Sequence, residues 1–250
     1  MSLLAERHRA DRADGTPGRR GLVRGALTAG VALCAGLASG AGSVPDGPRS
    51  GPYGPRPSTP AAALRELSAG NARWRTFHER HPDATRTVRQ ELVGGQHPFA
   101  VILGCVDSRV PPELVFDQGL GDLMTVRSAG EVLDEAVLGS IAFGVVELEI
   151  PLVVVLGHQS CGAVTAAVRA AEGLDRLPGH LRYLAQQIRP AVDRSLRRDA
   201  RVDAAVTENV RLVRSRLAAE PDLAARIAAG KLAVIGARYE LTSQRVRRIR

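Results

Sequence analysis

At 250 residues, with 44% hydrophobic and 24% charged positions, the chain has the length for one domain of ordinary size plus tails. Aromatic residues make up only 3%, so Val, Leu, Ile and Ala must fill the core. A net charge of +8 and a pI near 10.5 would suit a nucleic-acid binder, but the arginines are scattered over the N-terminal leader, residues 182–216 and the run Arg245-Val246-Arg247-Arg248-Ile249-Arg250. No DNA- or RNA-binding motif accompanies them, which argues against nucleic acid as a partner.

Residues 1–41 have the make-up of an export signal. Arg19-Arg20-Gly21-Leu22-Val23-Arg24 is a twin-arginine pair followed by apolar residues, residues 26–38 form a soft Gly/Ala-rich run, and Ser39-Gly40-Ala41 is a small-residue cleavage site. The run is too short to span a bilayer stably. The expectation is an exported protein, in the periplasm, the cell wall or the medium, that leaves the cytoplasm already folded; a non-functional leader would keep it cytoplasmic. Residues 42–60, rich in Pro and Gly and without hydrophobic period, read as a linker, which leaves 61–250 as the folded domain.

Thr59 or Ser58 can cap a helix whose first turn carries Pro60, and Leu64, Leu67, Asn71, Trp74 and Phe77 or His78 recur at helical spacing, predicting a helix to about residue 80. A second helix is predicted over 86–93, stopped by Gly94-Gly95. Continuous apolar runs then predict strands over 99–106, 123–128, 152–158 and 231–241, with helices over 133–146 and 163–171 and a mostly helical insertion over 179–215 broken at Pro190. That alternation predicts an α/β fold: a mostly parallel central sheet flanked by helices, with an N-terminal helical arm.

Two hexapeptides follow strands and so lie at strand ends: Gly104-Cys105-Val106-Asp107-Ser108-Arg109 and Gly157-His158-Gln159-Ser160-Cys161-Gly162. In open parallel sheets ligands bind outside the carboxyl ends of the strands, where Cys105, His158 and Cys161 can converge. Of three cysteines Cys34 lies in the leader, so Cys105 and Cys161 remain for one disulfide or for thiolate ligands, and the intervening His158 favours ligands. Two thiolates and one imidazole make a zinc site with a vacant fourth position, the catalytic pattern, in which the metal acidifies a coordinated water. Asp107 and Arg109 follow Cys105 at alternate positions, so in an extended loop all three leave one face. Arg109 can then clamp Asp107 in a two-pronged ion pair and keep it off the metal, while Asp107 orients the zinc hydroxide by accepting its proton. The simpler alternative is a capping Asp and a surface Arg. Cys161, at a helix start, is expected to be favoured as thiolate by the helix dipole.

Cys105-x-Asp107-x-Arg109 with His158-x-x-Cys161 resembles the β-class carbonic anhydrases, as do Leu67-x-x-Gly70-Asn71-x-x-Trp74, Gly95-Gln96-x-Pro98 and Gly121-Asp122-Leu123-x-x-Val126-Arg127-x-Ala129-Gly130. The resemblance covers residues 62 to about 242. It implies one Zn2+ per chain at Cys105, His158 and Cys161, a catalytic pair of Asp107 and Arg109, and reversible hydration of carbon dioxide to bicarbonate. It also implies a homodimer or higher homo-oligomer whose substrate pockets lie at the subunit interface and are lined by Gln96, Met124 and Phe143. The chain departs from the family pattern where Met124 replaces a phenylalanine, Phe143 a tyrosine and Ala142 a glutamate, and where Ser128 and Glu131 stand at frequent asparagine positions. Core packing is the alternative role for Met124 and Phe143. His78, His81, His97 and His180 have no comparable company and read as surface or packing residues. Two other functions suit the same residues: hydrolysis of carbonyl sulfide or carbon disulfide, and a non-catalytic module with structural zinc, against which Asp107 and Arg109 speak.

Overall fold

The computed structural model describes residues 50, 51 and 54–250; the leader and most of the stretch read as a linker lie outside the described residues. A small antiparallel pairing joins β1 (Ser50–Gly51) to β2 (Gly54–Pro55). Arg56, also inside the segment read as linker, is tied to the domain: Nη1 donates to the carbonyls of His97 (2.8 Å) and Gly121 (2.5 Å), and Nη2 lies 3.2 Å from Asp122.

Helix α1 (Pro60–Arg75) begins as its sequence requires, with the Thr59 side chain accepting from the Ala62 amide and Pro60 in the first turn. It ends earlier than predicted. Phe77 adopts a left-handed φ of 57° and is 77% exposed, so it does not extend the buried face. Residues 80 and 81 are held instead by Asp117, a buried carboxylate that accepts from the Arg80 and His81 amides (3.0 Å each) and from Arg73 Nε. Helix α2 (Arg86–Glu91), capped by Thr85, runs into a 3-10 turn over Leu92–Gly94.

Next come β3 (Ala100–Gly104), the short α3 (Pro112–Val115), β4 (Leu123–Arg127), α4 (Glu135–Val146, capped by Asp134), β5 (Leu152–His158) and α5 (Gly162–Ala171). Helices α6 (Gly179–Ile188), α7 (Arg198–Ala219) and α8 (Pro221–Ala228) lead to β6 (Ala233–Glu240) and β7 (Arg245–Ile249). The large sheet has the order β4-β3-β5-β6-β7. It is parallel except for β7, which runs antiparallel to β6. β7 was not expected, since 231–241 is the last strand predicted; Val246 and Ile249 reach the apolar layers while the arginines between them line the sheet edge, where they discourage further strand pairing.

β3 and β5 are buried along their whole length, and alternate side chains enter two different layers. Val101, Leu103, Val153 and Val155 pack with α4 and α7, whereas Ala100, Ile102, Val154 and Leu156 pack under α1 and α3. That double covering explains why the central strands read as unbroken apolar runs.

Two residues of α1 set its docking. A Cβ at Gly70 would fall 1.7 Å from the Phe116 carbonyl oxygen, so only glycine allows this approach. The buried Asn71 donates to the carbonyls of Val115 and Gln244 (3.0 Å each) and accepts from the Val246 amide (2.9 Å), joining α1 to α3 and β7. Asn71→Ala should therefore lower the unfolding free energy by about 2–4 kcal/mol, because one buried and two part-buried backbone groups lose their partners. Urea denaturation checks this, and a loss under about 1 kcal/mol would mean that the staple is not structural.

Candidate metal centre

The parallel register of β3 on β5 aligns Gly104 with Leu156, so the residues after each strand end meet at one rim of the sheet. Cys105 leaves β3, His158 closes β5, and Cys161 is the N-cap residue of α5. One ligand atom from each lies within 4.8 Å of the others, and all three residues are buried. The two sulfurs are 3.9 Å apart and both cysteines are free, which removes the disulfide alternative. Two sulfurs sharing a tetrahedral zinc at 2.3 Å would be separated by about 3.8 Å.

The imidazole orientation agrees with a metal. His158 Nδ1 faces the Gln159 carbonyl at 2.9 Å, which places the ring proton there and leaves the Nε2 lone pair aimed into the cluster. Nε2 has no hydrogen-bond partner although it is fully buried. An orphaned acceptor beside two thiols is what a soft divalent cation would satisfy.

Between themselves the thiols divide their charge unequally. Cys105 is held well below the usual thiol range, first by the hydrogen bond with Cys161 and, against burial, by His158 and the Gly130 amide, whose N–H points at Sγ at 3.4 Å. Cys161 is pushed up by the same bond with Cys105 and by burial. The helix start expected to favour a thiolate at Cys161 is thus outweighed, because two sulfurs this close do not both ionise without a cation. His158 sits above its ordinary value: burial opposes the charged ring, and the contacts with Cys105 and the Gln159 carbonyl outweigh it.

Asp107 and Arg109 are paired as expected, but not in an extended loop. The Val110 amide donates to the Asp107 carbonyl (3.1 Å) and the Arg109 amide to Asp107 Oδ1 (3.0 Å), so the segment is a turn that the carboxylate itself closes. Arg109 Nε donates to Oδ1 (2.9 Å) and Nη2 to Oδ2 (2.7 Å), a two-pronged clamp. This grip holds the Asp107 carboxyl well below the usual carboxylate range. Oδ2 lies 3.9 Å from His158 Nε2, beside the convergence point of the three donors.

Arg127, at the end of β4, braces the whole loop, with Nε donating to the Cys105 carbonyl (2.8 Å) and Nη2 to the Asp107 carbonyl (2.7 Å). Its role was not legible in sequence. The signal was there in part, since an arginine at the last position of a strand paired with β3 must point towards the loop that leaves β3.

The expected pocket residues do not reach this centre within one chain. Gln96 is exposed and precedes β3, at the end opposite Cys105. Met124 pairs with Val101, three strand positions before the Gly104–Arg127 pair, or roughly 10 Å back along the strand. It packs on α4, where a Cβ at Gly144 would meet its sulfur at 2.6 Å. Phe143, the next residue to Gly144, is 49% exposed. His78, His81, His97 and His180 are exposed, and none joins a candidate metal group among the described residues.

Two thiols and an imidazole at the carboxyl ends of parallel strands, with a clamped carboxylate beside them and no fourth donor grouped with them among the described residues, define an open-site metalloenzyme. The family model described as carbonic anhydrase matches residues 100–246. Carbonic anhydrase 2 of Mycobacterium tuberculosis is 44% identical over 194 residues, 75% of this chain and 92% of that protein. The carbonic anhydrase of Mycolicibacterium smegmatis is 42% identical over 193 residues, 76% of this chain and 93% of that protein. The solved structure of the β-carbonic anhydrase CcaA superposes with a TM-score of 0.61 at 26% identity, covering 74% of this chain and 94% of that one. The chain belongs to the carbonic anhydrase family, in its β class.

If Cys105, His158 and Cys161 are the metal donors, purified protein should hold about one zinc ion per chain. Cys161→Ser should lose most of it on dialysis against a chelator. Full zinc in that variant, by elemental analysis, would refute the donor assignment.

Proposed function

We propose that this chain is a zinc-dependent carbonic anhydrase that interconverts carbon dioxide and water with bicarbonate and a proton. The observation that carries this is the convergence of Cys105 Sγ, Cys161 Sγ and the orphaned His158 Nε2 beside an arginine-clamped Asp107. Cys105, His158 and Cys161 would hold the zinc. Bound zinc supplies the Lewis acidity that makes water a nucleophile near neutral pH.

The remaining work falls to the chain. Asp107 is ionised throughout the working range because Arg109 stabilises its charge, so Oδ2 is a standing acceptor for the proton of the attacking water. Both carboxylate oxygens are occupied by Arg109, which restrains Asp107 from swinging onto the metal. Arg127 keeps the Cys105 and Asp107 backbone in the geometry that this requires. A purely structural metal would need neither the clamp nor an open coordination position.

Gln96, Met124 and Phe143 serve as the substrate-pocket residues in a homodimer or higher homo-oligomer, where a second copy brings them to the metal centre. Their distance from the centre of their own chain supports this, as do the half-exposed Phe143 and the exposed Val146 one turn along α4. β4, beside which α4 packs, is an edge strand open to a neighbour. The protein acts outside the cytoplasm after twin-arginine export. Arg19-Arg20 ahead of a soft apolar run supports this route, and among the described residues no helix is long and apolar enough to cross a membrane.

Arg109→Ala and Asp107→Asn should each lower carbon dioxide hydration by about a hundredfold to ten-thousandfold. Zinc content should stay near one per chain in both. Stopped-flow hydration with parallel zinc analysis is the measurement, and wild-type turnover in either variant would remove the pair from the mechanism.

Replacing Arg19 and Arg20 by lysine should leave an unprocessed precursor in the cytoplasm. Equal amounts of processed protein outside the cytoplasm for both forms, by fractionation and immunoblot, would exclude the twin-arginine route.

A further inference from the structure

Glu131 is 2% exposed and faces no arginine or lysine in an ion pair among the described residues. Burial, first, and the nearby Cys105 push its carboxyl well above the usual range. It ends a tight turn in which the Glu131 amide donates to the Ser128 carbonyl (3.2 Å) and Ser128 Oγ to the Val132 carbonyl (2.7 Å). Gly130 and Glu131 both adopt left-handed backbone, with φ of 66° and 54°. Glycine does this freely, and a Cβ at Gly130 would strike Ile188 at 2.7 Å, but for glutamate the conformation costs about 1–2 kcal/mol. Something must hold it there.

The holder is Asn209, a buried residue of α7, whose Nδ2 donates to the Gly130 carbonyl (2.8 Å) and to Glu131 Oε2 (3.3 Å). The Gly130 peptide is thereby fixed from its carbonyl side while its own N–H donates to Cys105 Sγ at 3.4 Å. A hydrogen bond to a ligating sulfur withdraws charge from it and so weakens its donation to the metal. In a centre with two thiolates that correction raises the Lewis acidity that remains for the open position.

We propose that Glu131 and Asn209 are a pair of positioning residues for the metal centre: they lock the turn over residues 128–132 so that the Gly130 N–H stays on Cys105 Sγ and tempers its donation to zinc. Asn209 acts from α7 and Glu131 from the turn itself, and neither is among the metal donors. The inference rests on the zinc assignment of the preceding section.

The test uses full-length protein loaded with zinc or with cobalt(II). Glu131→Gly removes the carboxyl but spares the left-handed backbone its steric cost, so the variant is expected to fold. Asn209→Ala removes the donor. Both free the turn that holds the Gly130 peptide against Cys105, so with the ligand loop no longer held in place zinc should leave to a chelator about 10- to 100-fold faster, while the sulfur, relieved of the N–H, should move the sulfur-to-cobalt charge-transfer band to lower energy. Glu131→Gln keeps an acceptor of the same shape and should restore both readouts to within about twofold of wild type, a window well inside that 10- to 100-fold effect. The double variant Glu131→Gly/Asn209→Ala should be no worse than the worse single one, since both remove one device. Variants that lose urea stability but keep wild-type zinc release and an unshifted band would overturn the proposal, as would Glu131→Gln behaving like Glu131→Gly. Wild-type protein that takes up neither zinc nor cobalt would instead overturn the metal assignment itself.

Discussion

The active centre depends on one backbone interaction, the parallel pairing of β3 with β5. Cys105 and His158 are more than fifty positions apart, and nothing local draws them together; the ladder that sets Val101 beside Val153 and Gly104 beside Leu156 does. A slip of one residue would turn every alternate side chain to the opposite layer. It would also carry the rim residues out of reach of each other. The register is held by Val101, Leu103, Val153 and Val155 in one layer and Ile102, Val154 and Leu156 in the other, so the core and the site share the same constraint.

Around that junction the electrostatics are arranged in two shells with opposite tasks. Inside, two thiols and an imidazole are buried with an orphaned nitrogen, an arrangement that a cation would stabilise and that its absence leaves costly. Outside, the negative charge of Asp107 is retained by a guanidinium that is itself half in solvent, and Arg127 braces the loop through backbone carbonyls alone. The chain thus keeps one anion beside the centre without letting it become a ligand.

The chain covers 92% and 93% of the length of its two mycobacterial relatives. Ahead of α1, Arg56 fastens the end of the Pro/Gly-rich stretch against Asp122 and the Gly121 carbonyl. That anchor lies a few residues before α1, in a segment whose composition suggested no structure, because composition reports the absence of a hydrophobic period and not the single long-range bond of an arginine.

From sequence alone the central strands, the parallel α/β class and the set of Cys105, Asp107, Arg109, His158 and Cys161 were legible, because continuous apolar runs and strand-end motifs are local signals with few readings. The early end of α1 was not, since Asp117 forty positions away decides it by capturing the Arg80 and His81 amides. Nor was β7, a short arginine-rich segment whose strand conformation depends on its antiparallel pairing with β6. The brace from Arg127 and the link from Asn209 to the Gly130 peptide were decided by the tertiary structure alone. Hydrogen bonds between residues 20 to 80 positions apart leave no periodicity in the chain, and only the packed sheet brings their donors and acceptors within 3 Å or so of each other.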